Sequence, residues 1–231
     1  MFFPKLRQIA TQHVITIDDQ ASVQNALDKM SAHHLRDLIV TGDAGLRIIT
    51  ARELIDVRLQ GHDLHNTRLN SIALPQVTQL GAHESVVDGL VALKEANVDY
   101  LCLMEANHLV GIVSYTDLIT HLDPKYIAES KQLTDLIHLA HFVQIEQDAS
   151  LKEALSLLKQ SRQNCILITH NQQHVGIVTQ SNITEALRTV TDLNQPITPF
   201  VSQPLITVAP TLTLQHALAF SRQHHKKTSD Y

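Results

Sequence analysis

Ser114 and Asp117 are the two residues of this sequence whose types and spacing could hold a ligand. They follow the apolar run Gly111-Ile112-Val113, and the hydroxyl is expected at the start of a helix. A hydroxyl beside the free N–H groups of a first helical turn suits an anion. A carboxylate one turn further along can accept two hydrogen bonds from a cis-diol. The two residue types therefore suit an anion and a diol, and the same two residue types also cap helices.

Two other residue pairs resemble this one at matching places in the chain. Thr50 and Glu53 carry the carboxylate on a side chain one methylene longer, and Thr179 and Asn182 replace the carboxylate with an amide. Helix capping is the simpler interpretation of both. They are kept as second, weaker candidate sites.

These pairs belong to a repeat that runs through the chain. Four segments with a common pattern begin at Val14, Val77, Phe142 and Leu205, so consecutive copies are offset by 63, 65 and 63 residues. Such a regular period indicates that one supersecondary unit has been copied.

Each unit predicts the order strand, helix, strand, strand, helix. A short β-branched run favours the first strand. A Ser or Thr nine places into the unit is expected to cap the first helix, whose apolar residues recur at i, i+3 and i+4. In three units, two further strands lead to the residue that opens the last helix: Thr50, Ser114 and Thr179. In the fourth unit that residue would fall beyond Tyr231, so this unit is expected to be incomplete.

The second halves of two units resemble a known signature. The segments GIVSYTD from Gly111 and GIVTQSN from Gly176 are similar to the G-[IV]-[IV]-[ST]-x-x-D motif of cystathionine-β-synthase (CBS) domains. Copy 1 departs from it at Arg47, which stands in the place of the glycine. The resemblance covers nearly the whole chain.

The resemblance implies an α/β fold of tandem βαββα CBS repeats that pair around pseudo-twofold axes, with the fourth repeat incomplete. Copies 1 and 2 are expected to pack sheet against sheet, and copy 3 is expected to pair with what remains of copy 4. The expected boundaries are residues 1–65, 66–130, 131–193 and 194–231.

The family also implies a function. Paired CBS domains often bind AMP, ADP, ATP or S-adenosylmethionine in the cleft between copies, and they regulate an attached or associated effector. The expectation is a regulatory module with no required cofactor, a homodimer that senses an adenosine nucleotide and acts on an unknown effector. The alternatives are a ligand-free dimerisation scaffold or the sensory part of a diguanylate cyclase or phosphodiesterase.

The family pattern also implies which residues would contact the ligand. Phosphate would be held by Ser114 and the ribose hydroxyls by Asp117, and Thr116 between them is a further candidate nucleotide-binding residue. His34 or Arg36 of copy 1 would reach the phosphate across the cleft. The adenine would stack against wall residues, which are expected to be Thr78, Val98, Tyr100 and Leu101.

Composition argues against several other classes. The net charge of −5 disfavours nucleic acid as the main partner. No apolar run approaches the roughly 18 residues of a membrane span, and the start MFFPKLRQ is too short for a signal peptide, so a cytoplasmic protein is expected. The fifteen histidines lack the paired spacing of zinc ligands. The chain has no nucleophile elbow, P-loop or HExxH motif, so neither a metal site nor an enzyme is expected.

Overall fold

Three complete βαββα units make up most of the chain. The computed structural model describes residues 3–121, 131–137 and 141–228. A short helix, α1 (Leu6–Ile9), precedes the first unit. Copy 1 contains β1 (Thr16–Asp18), α2 (Val23–Ala32), β2 (Leu38–Gly42), β3 (Gly45–Ile49) and α3 (Ala51–Leu59). Copy 2 contains β4 (Gln79–Gly81), α4 (Val86–Ala96), β5 (Tyr100–Glu105), β6 (His108–Ser114) and α5 (Tyr115–Thr120). Copy 3 contains β7 (Gln144–Glu146), α6 (Leu151–Ser161), β8 (Cys165–His170), β9 (Gln173–Thr179) and α7 (Gln180–Thr189).

Each copy folds its strands into one three-stranded sheet. The first strand is parallel to the second, and the helix between them provides the crossover that parallel pairing requires. The second and third strands form an antiparallel hairpin. The predicted α/β fold of tandem βαββα units is confirmed.

The helices begin where the sequence predicts. Ser22, Ser85 and Ser150 each accept a hydrogen bond from the backbone N–H three residues later, and the side chain at that later residue accepts one from the capping residue. This reciprocal arrangement satisfies two N–H groups that a first helical turn leaves unpaired. The apolar spacing then buries one face of the helix. In α2 the buried residues are Val23, Ala26, Leu27 and Met30.

Copies 1 and 2 pair through the outer faces of their sheets. Ile39 and Ile48 of copy 1 are buried together with Cys102 of copy 2, and half-buried residues of both sheets surround them. The opposite face of each sheet packs on its own helices. Each copy of the pair is therefore a two-layer unit with its sheet turned inward.

The two paired copies also exchange the segments that precede their first strands. Thr11, ahead of copy 1, forms two backbone hydrogen bonds with Ile112 of β6, at 3.0 and 3.1 Å. Conversely, the Pro75 carbonyl, ahead of copy 2, accepts a hydrogen bond of 3.0 Å from Ile48 N of β3. Ser202, ahead of copy 4, pairs in the same way with Ile177 of β9. Each third strand thus gains an edge partner from another copy.

This exchange explains the glycine of the signature. A Cβ atom at Gly176 would lie 2.4 Å from Val201 Cγ1 and 2.9 Å from the Ser202 carbonyl oxygen, and one at Gly111 would lie 3.0 Å from Ala10 Cβ. The close approach that glycine permits is therefore that of the crossing chain. In copy 1 the same position is Arg47, whose Nη2 forms a buried ion pair with Asp19 Oδ2 at 2.7 Å.

Copy 3 packs on copy 1 through helices. Helix α2 contacts α7, and α3 contacts both α6 and α7. The apolar faces of these helices form one continuous core that spans the two copies. Arg58 on α3 donates hydrogen bonds to the carbonyls of Val190 and Thr191, at 2.6 and 3.2 Å, just past the end of α7. Copy 1 is therefore in contact with copy 2 by its sheet and with copy 3 by its helices.

The fourth unit is represented by its first helix. Helix α8 (Leu214–Thr228) begins after Thr213, and Leu214 N donates to the Lys131 carbonyl ahead of copy 3. The segment from Leu205 to Val208, expected as a strand, is not one, because no second strand lies beside it among the described residues. Ile206 and Val208 are accordingly 57% and 40% exposed.

Candidate functional site

A cleft of about 690 Å³ lies between copies 1 and 2 and extends to copy 3. Its walls come from the ends of the paired sheets, the start of α3 and one face of α4. Asn164 and Gln180 of copy 3 close one side. The volume is within the range of about 300–1,000 Å³ that is usual for small-molecule sites.

Copy 1 contributes its Thr–Glu pair to this cleft. Glu53 Oε2 accepts hydrogen bonds from the backbone N and the hydroxyl of Thr50, at 2.9 and 2.6 Å, while Thr50 Oγ1 accepts one from Arg52 N at 3.1 Å. The threonine hydroxyl is thus used by the helix cap. The second carboxylate oxygen, Glu53 Oε1, has no hydrogen bond among the residues that the structure describes. It is an acceptor that a bound hydroxyl group can use.

The corresponding pair of copy 2 lies elsewhere. Asp117 Oδ2 accepts from the backbone N and the hydroxyl of Ser114, at 2.8 and 2.7 Å, in the same capping arrangement. Ser114, Thr116 and Asp117 are not among the residues that line the cleft, whereas the intervening Tyr115 is. The structure therefore brings the weaker candidate pair, and not the stronger one, to the cleft.

Three of the four predicted wall residues do line the cleft. Thr78 and Val98 lie in the copy 2 part of the lining, with Tyr100 at the start of β5. Leu101, the next residue, points to the opposite face of the strand and is fully buried in the core of copy 2. Alternation along the strand accounts for the difference.

The segment before β2 contributes an acid to the cleft in place of the expected base. His34 is exposed, and neither His34 nor Arg36 lines the cleft, but Asp37 does. The Tyr100 hydroxyl donates a hydrogen bond to Asp37 Oδ2. Burial raises the pKa of Asp37, and the hydrogen bond from Tyr100 and the charge of Arg36 oppose this rise. Burial and the neighbouring carboxylate also raise the pKa of Tyr100, so the phenol remains a donor.

The pair in copy 3 also caps its helix away from the cleft. Asn182 Oδ1 accepts from the backbone N and the hydroxyl of Thr179, at 2.9 and 2.8 Å, and a weaker hydrogen bond from Ser202 Oγ at 3.3 Å. Gln180, between them, is the residue that reaches the cleft. The amide oxygen of Asn182 is therefore occupied by local contacts.

The cleft carries charges that the sequence analysis did not single out. Its carboxylates are Asp37, Glu53 and Asp99, and its cations are Arg52 and Lys94. Cys102 also lines it, and burial raises the pKa of this thiol to about 11, so it stays protonated. No local motif identifies these residues, because they meet only when the copies pack together. Within the described ranges, no group of three or more His, Cys, Asp or Glu side chains is placed to hold a metal ion.

Comparison with known proteins identifies the family. The CBS domain model matches residues 6–59, 69–124 and 134–189. The chain belongs to the CBS domain family and is a tandem CBS module of the regulatory kind.

Two curated relatives have low sequence identity to this chain. A 33.4 kDa protein encoded in a ribosomal RNA operon of Thermofilum pendens is 24% identical over 157 residues, which cover 64% of this chain and 50% of the relative. YlbB of Bacillus subtilis is 27% identical over 119 residues, which cover 51% of this chain and 80% of YlbB. The chain thus spans about half the length of the Thermofilum relative.

Solved structures support the fold. Protein MJ1225 of Methanocaldococcus jannaschii, proposed to be an archaeal homolog of γ-AMPK, superposes with a TM-score of 0.81 at 16% identity, over 95% of this chain and 90% of that one. A conserved protein of Pyrococcus horikoshii has a TM-score of 0.58 at 17% identity, over 96% and 88% of the two chains.

In the described part of the chain, no helix combines the length and the apolar character that a membrane crossing needs.

Proposed function

We propose that this protein is a cytoplasmic regulatory module that senses an adenosine nucleotide in the cleft between copies 1 and 2. The observation that carries the proposal is the position of Glu53, which lines a cleft of ligand size and whose Oε1 has no hydrogen bond among the described residues. A ribose diol is a natural partner for such an acceptor.

The cleft suits the other parts of an adenosine as well. Ile39, Ile48, Val77 and Val98 supply apolar surface for a base. Arg52 lies one residue from Glu53 and lines the same cleft, so a cation is at hand for a phosphate. These groups come from copies 1 and 2, and a ligand held by both would favour one relative arrangement of the copies. An effector that binds the preferred arrangement would be regulated in this way.

Thermal unfolding with AMP, ADP, ATP and S-adenosylmethionine tests the proposal. A ligand at 100 times its dissociation constant adds about 2.7 kcal/mol to stability. Glu53→Gln should weaken binding while keeping the capping oxygen. Glu153→Gln is the matched control, because Glu153 has the same capping role on α6. Equal affinity of the wild type and Glu53→Gln would contradict the proposal.

The copy 2 pair remains a second proposed site. If Asp117 holds a ribose, Asp117→Ala should lower affinity for AMP or ATP, and unchanged affinity would reject that role.

A ligand-free scaffold is the second candidate function, and one observation favours it. In all three motif pairs the side chain of the second residue accepts hydrogen bonds from the backbone N and the hydroxyl of the first, so helix capping alone accounts for their residue types. In this case none of the four compounds would shift the melting temperature, and the module would act through a homodimer or an effector contact. Sedimentation analysis of the ligand-free protein tests the dimer.

A further inference from the structure

The charged side chains of the cleft differ in how far water reaches them. Asp37 and Glu53 are half-buried, whereas Arg52, Lys94 and Asp99 are exposed. Salt screens exposed charges strongly and partly buried charges much less. The charges that act most strongly inside the cleft are therefore those of the two half-buried carboxylates.

These two carboxylates are not neutralised by a cation. Neither Asp37 nor Glu53 forms an ion pair with a residue that the structure describes. Glu53 accepts its hydrogen bonds from the cap at Thr50, and Asp37 accepts one from the uncharged Tyr100 hydroxyl. The interior of the cleft is therefore negative at neutral pH.

Asp37 is placed to respond to the charge of a ligand. It precedes β2, while Glu53 lies on α3 and Tyr100 opens β5 directly after Asp99, so groups of both copies act on it. Burial raises the pKa of Asp37, and the hydrogen bond from Tyr100 and the charge of Arg36 oppose this rise. The charges of Asp99 and Glu53 add to it. A further negative charge in the cleft would raise this pKa again, and a positive charge would lower it.

We propose that Asp37 determines which ligands the cleft accepts by their charge. As a carboxylate it disfavours a nucleoside that carries phosphate and favours one that carries a positive group. As the neutral acid it does neither. The adenosine part of the ligand rests on the proposed function, whereas the selection by charge is a separate property of Asp37 and has its own test.

Isothermal titration with two pairs of compounds tests the selection. AMP and adenosine differ by a phosphate, and S-adenosylmethionine and S-adenosylhomocysteine differ by the positive charge of the sulfonium. The variant Asp37→Asn keeps an oxygen that can accept from Tyr100. At pH 7 it should raise the affinity for AMP relative to adenosine about tenfold, and lower that for S-adenosylmethionine relative to S-adenosylhomocysteine by a similar factor. A change of shape alone would not move the two ratios in opposite directions.

The pH dependence is a second readout. A bound phosphate raises the pKa of Asp37 further, so AMP takes up a proton on binding. The advantage of Asp37→Asn for AMP should therefore shrink as the pH falls through the pKa of Asp37 in the complex, and vanish below its pKa in the free protein. The ionisation of AMP itself is common to both proteins and cancels in their ratio.

Asp43→Asn is the matched control. Asp43 is exposed at the other end of β2 and does not line the cleft, so its replacement removes the same charge and should leave all four affinities unchanged.

The remaining outcomes separate the two proposals. Unchanged ratios in Asp37→Asn, with adenosine still bound, would overturn the selection by charge and leave the proposed function intact. If only one pair of compounds binds, its ratio decides: a change in the stated direction supports the selection, and no change or the opposite change overturns it. Failure of both proteins to bind any of the four compounds would overturn both proposals.

Discussion

The Tyr100 hydroxyl donates a hydrogen bond to the Asp37 carboxylate across the boundary between copies 1 and 2. The two residues occupy the same position in their respective copies, immediately before or at the start of the second strand. The contact is therefore a polar link between equivalent points of paired units, at the edge of the cleft.

Loss of this hydroxyl should destabilise the protein. Tyr100→Phe leaves a largely buried carboxylate without its donor, and we expect a loss of about 1–3 kcal/mol in the free energy of unfolding. Tyr115→Phe is the matched control, because Tyr115 lines the same cleft but is 49% exposed, and it should change stability by less than about 0.5 kcal/mol. Chemical denaturation measures both. Equal effects of the two variants would show that the Tyr100 contact contributes nothing.

The raised pKa of Asp37 predicts a pH dependence. A carboxyl group whose pKa is higher in the folded than in the unfolded state costs stability above its folded pKa, and this cost vanishes below the ordinary value of about 4. Asp37→Asn should therefore raise the melting temperature at pH 7, and the gain should shrink as the pH falls towards 4.

Asp63 provides a control of opposite sign. Hydrogen bonds from His65 and Asn66 lower its pKa, so its contribution to stability is present at neutral pH and is lost as the pH falls through its folded pKa. Asp63→Asn should be less stable than the wild type at pH 7 and approach it on acidification. A loss of stability in Asp37→Asn at pH 7 would contradict the account of Asp37.

Replacing only one partner of the Arg47–Asp19 ion pair should strongly lower the stability of the protein. Both side chains are nearly buried, with 13% and 10% exposure, so Arg47→Met leaves a carboxylate unpaired and should cost about 3–5 kcal/mol. The double variant Arg47→Met, Asp19→Leu should recover most of this loss. Arg7→Met, which breaks the more exposed pair with Glu105, should cost less than about 1 kcal/mol. Denaturant midpoints that fail to follow this order would count against the buried pair.

The stability cost of replacing a glycine by alanine should follow the space available at each of three positions. Gly176→Ala meets a backbone carbonyl and should cost about 1–3 kcal/mol, while Gly111→Ala, with its nearest contact at 3.0 Å, should cost less. A Cβ at Gly81 would have no neighbour closer than 3.7 Å, so Gly81→Ala should be tolerated. Melting temperatures of the three variants test the ranking, and a Gly176→Ala protein as stable as Gly81→Ala would refute it.

The local features of this fold could be predicted from the sequence because their causes are local. The caps at Ser22, Ser85 and Ser150 depend on residues three apart, and the buried helix faces follow from apolar spacing. The repeat offset then indicated how many units to expect. The strand expected at Leu205–Val208 does not form for a non-local reason. A strand needs a neighbouring strand to pair with, and the residues of the segment itself do not determine whether one is present.

The composition of the cleft could not be predicted in the same way. Ser114 with Asp117 matches the family signature better than Thr50 with Glu53, yet the latter pair lines the cleft. Which helix start lines the cleft depends on how copies about 60 residues apart pack together. Residue spacing within one copy does not determine this packing. Asp37 was missed for the same reason. The role of Ser114 and Asp117 in ligand binding stays a prediction.

The exchanged edge segments bear on how such a chain can shorten or lengthen in evolution. Removal of copy 1 alone would strip β6 of the strand-like partner at Thr11 and leave the Pro75 segment with nothing to pair with. Removal of both copies together leaves neither defect. Copies 1 and 2 are therefore interdependent at the edges of their sheets.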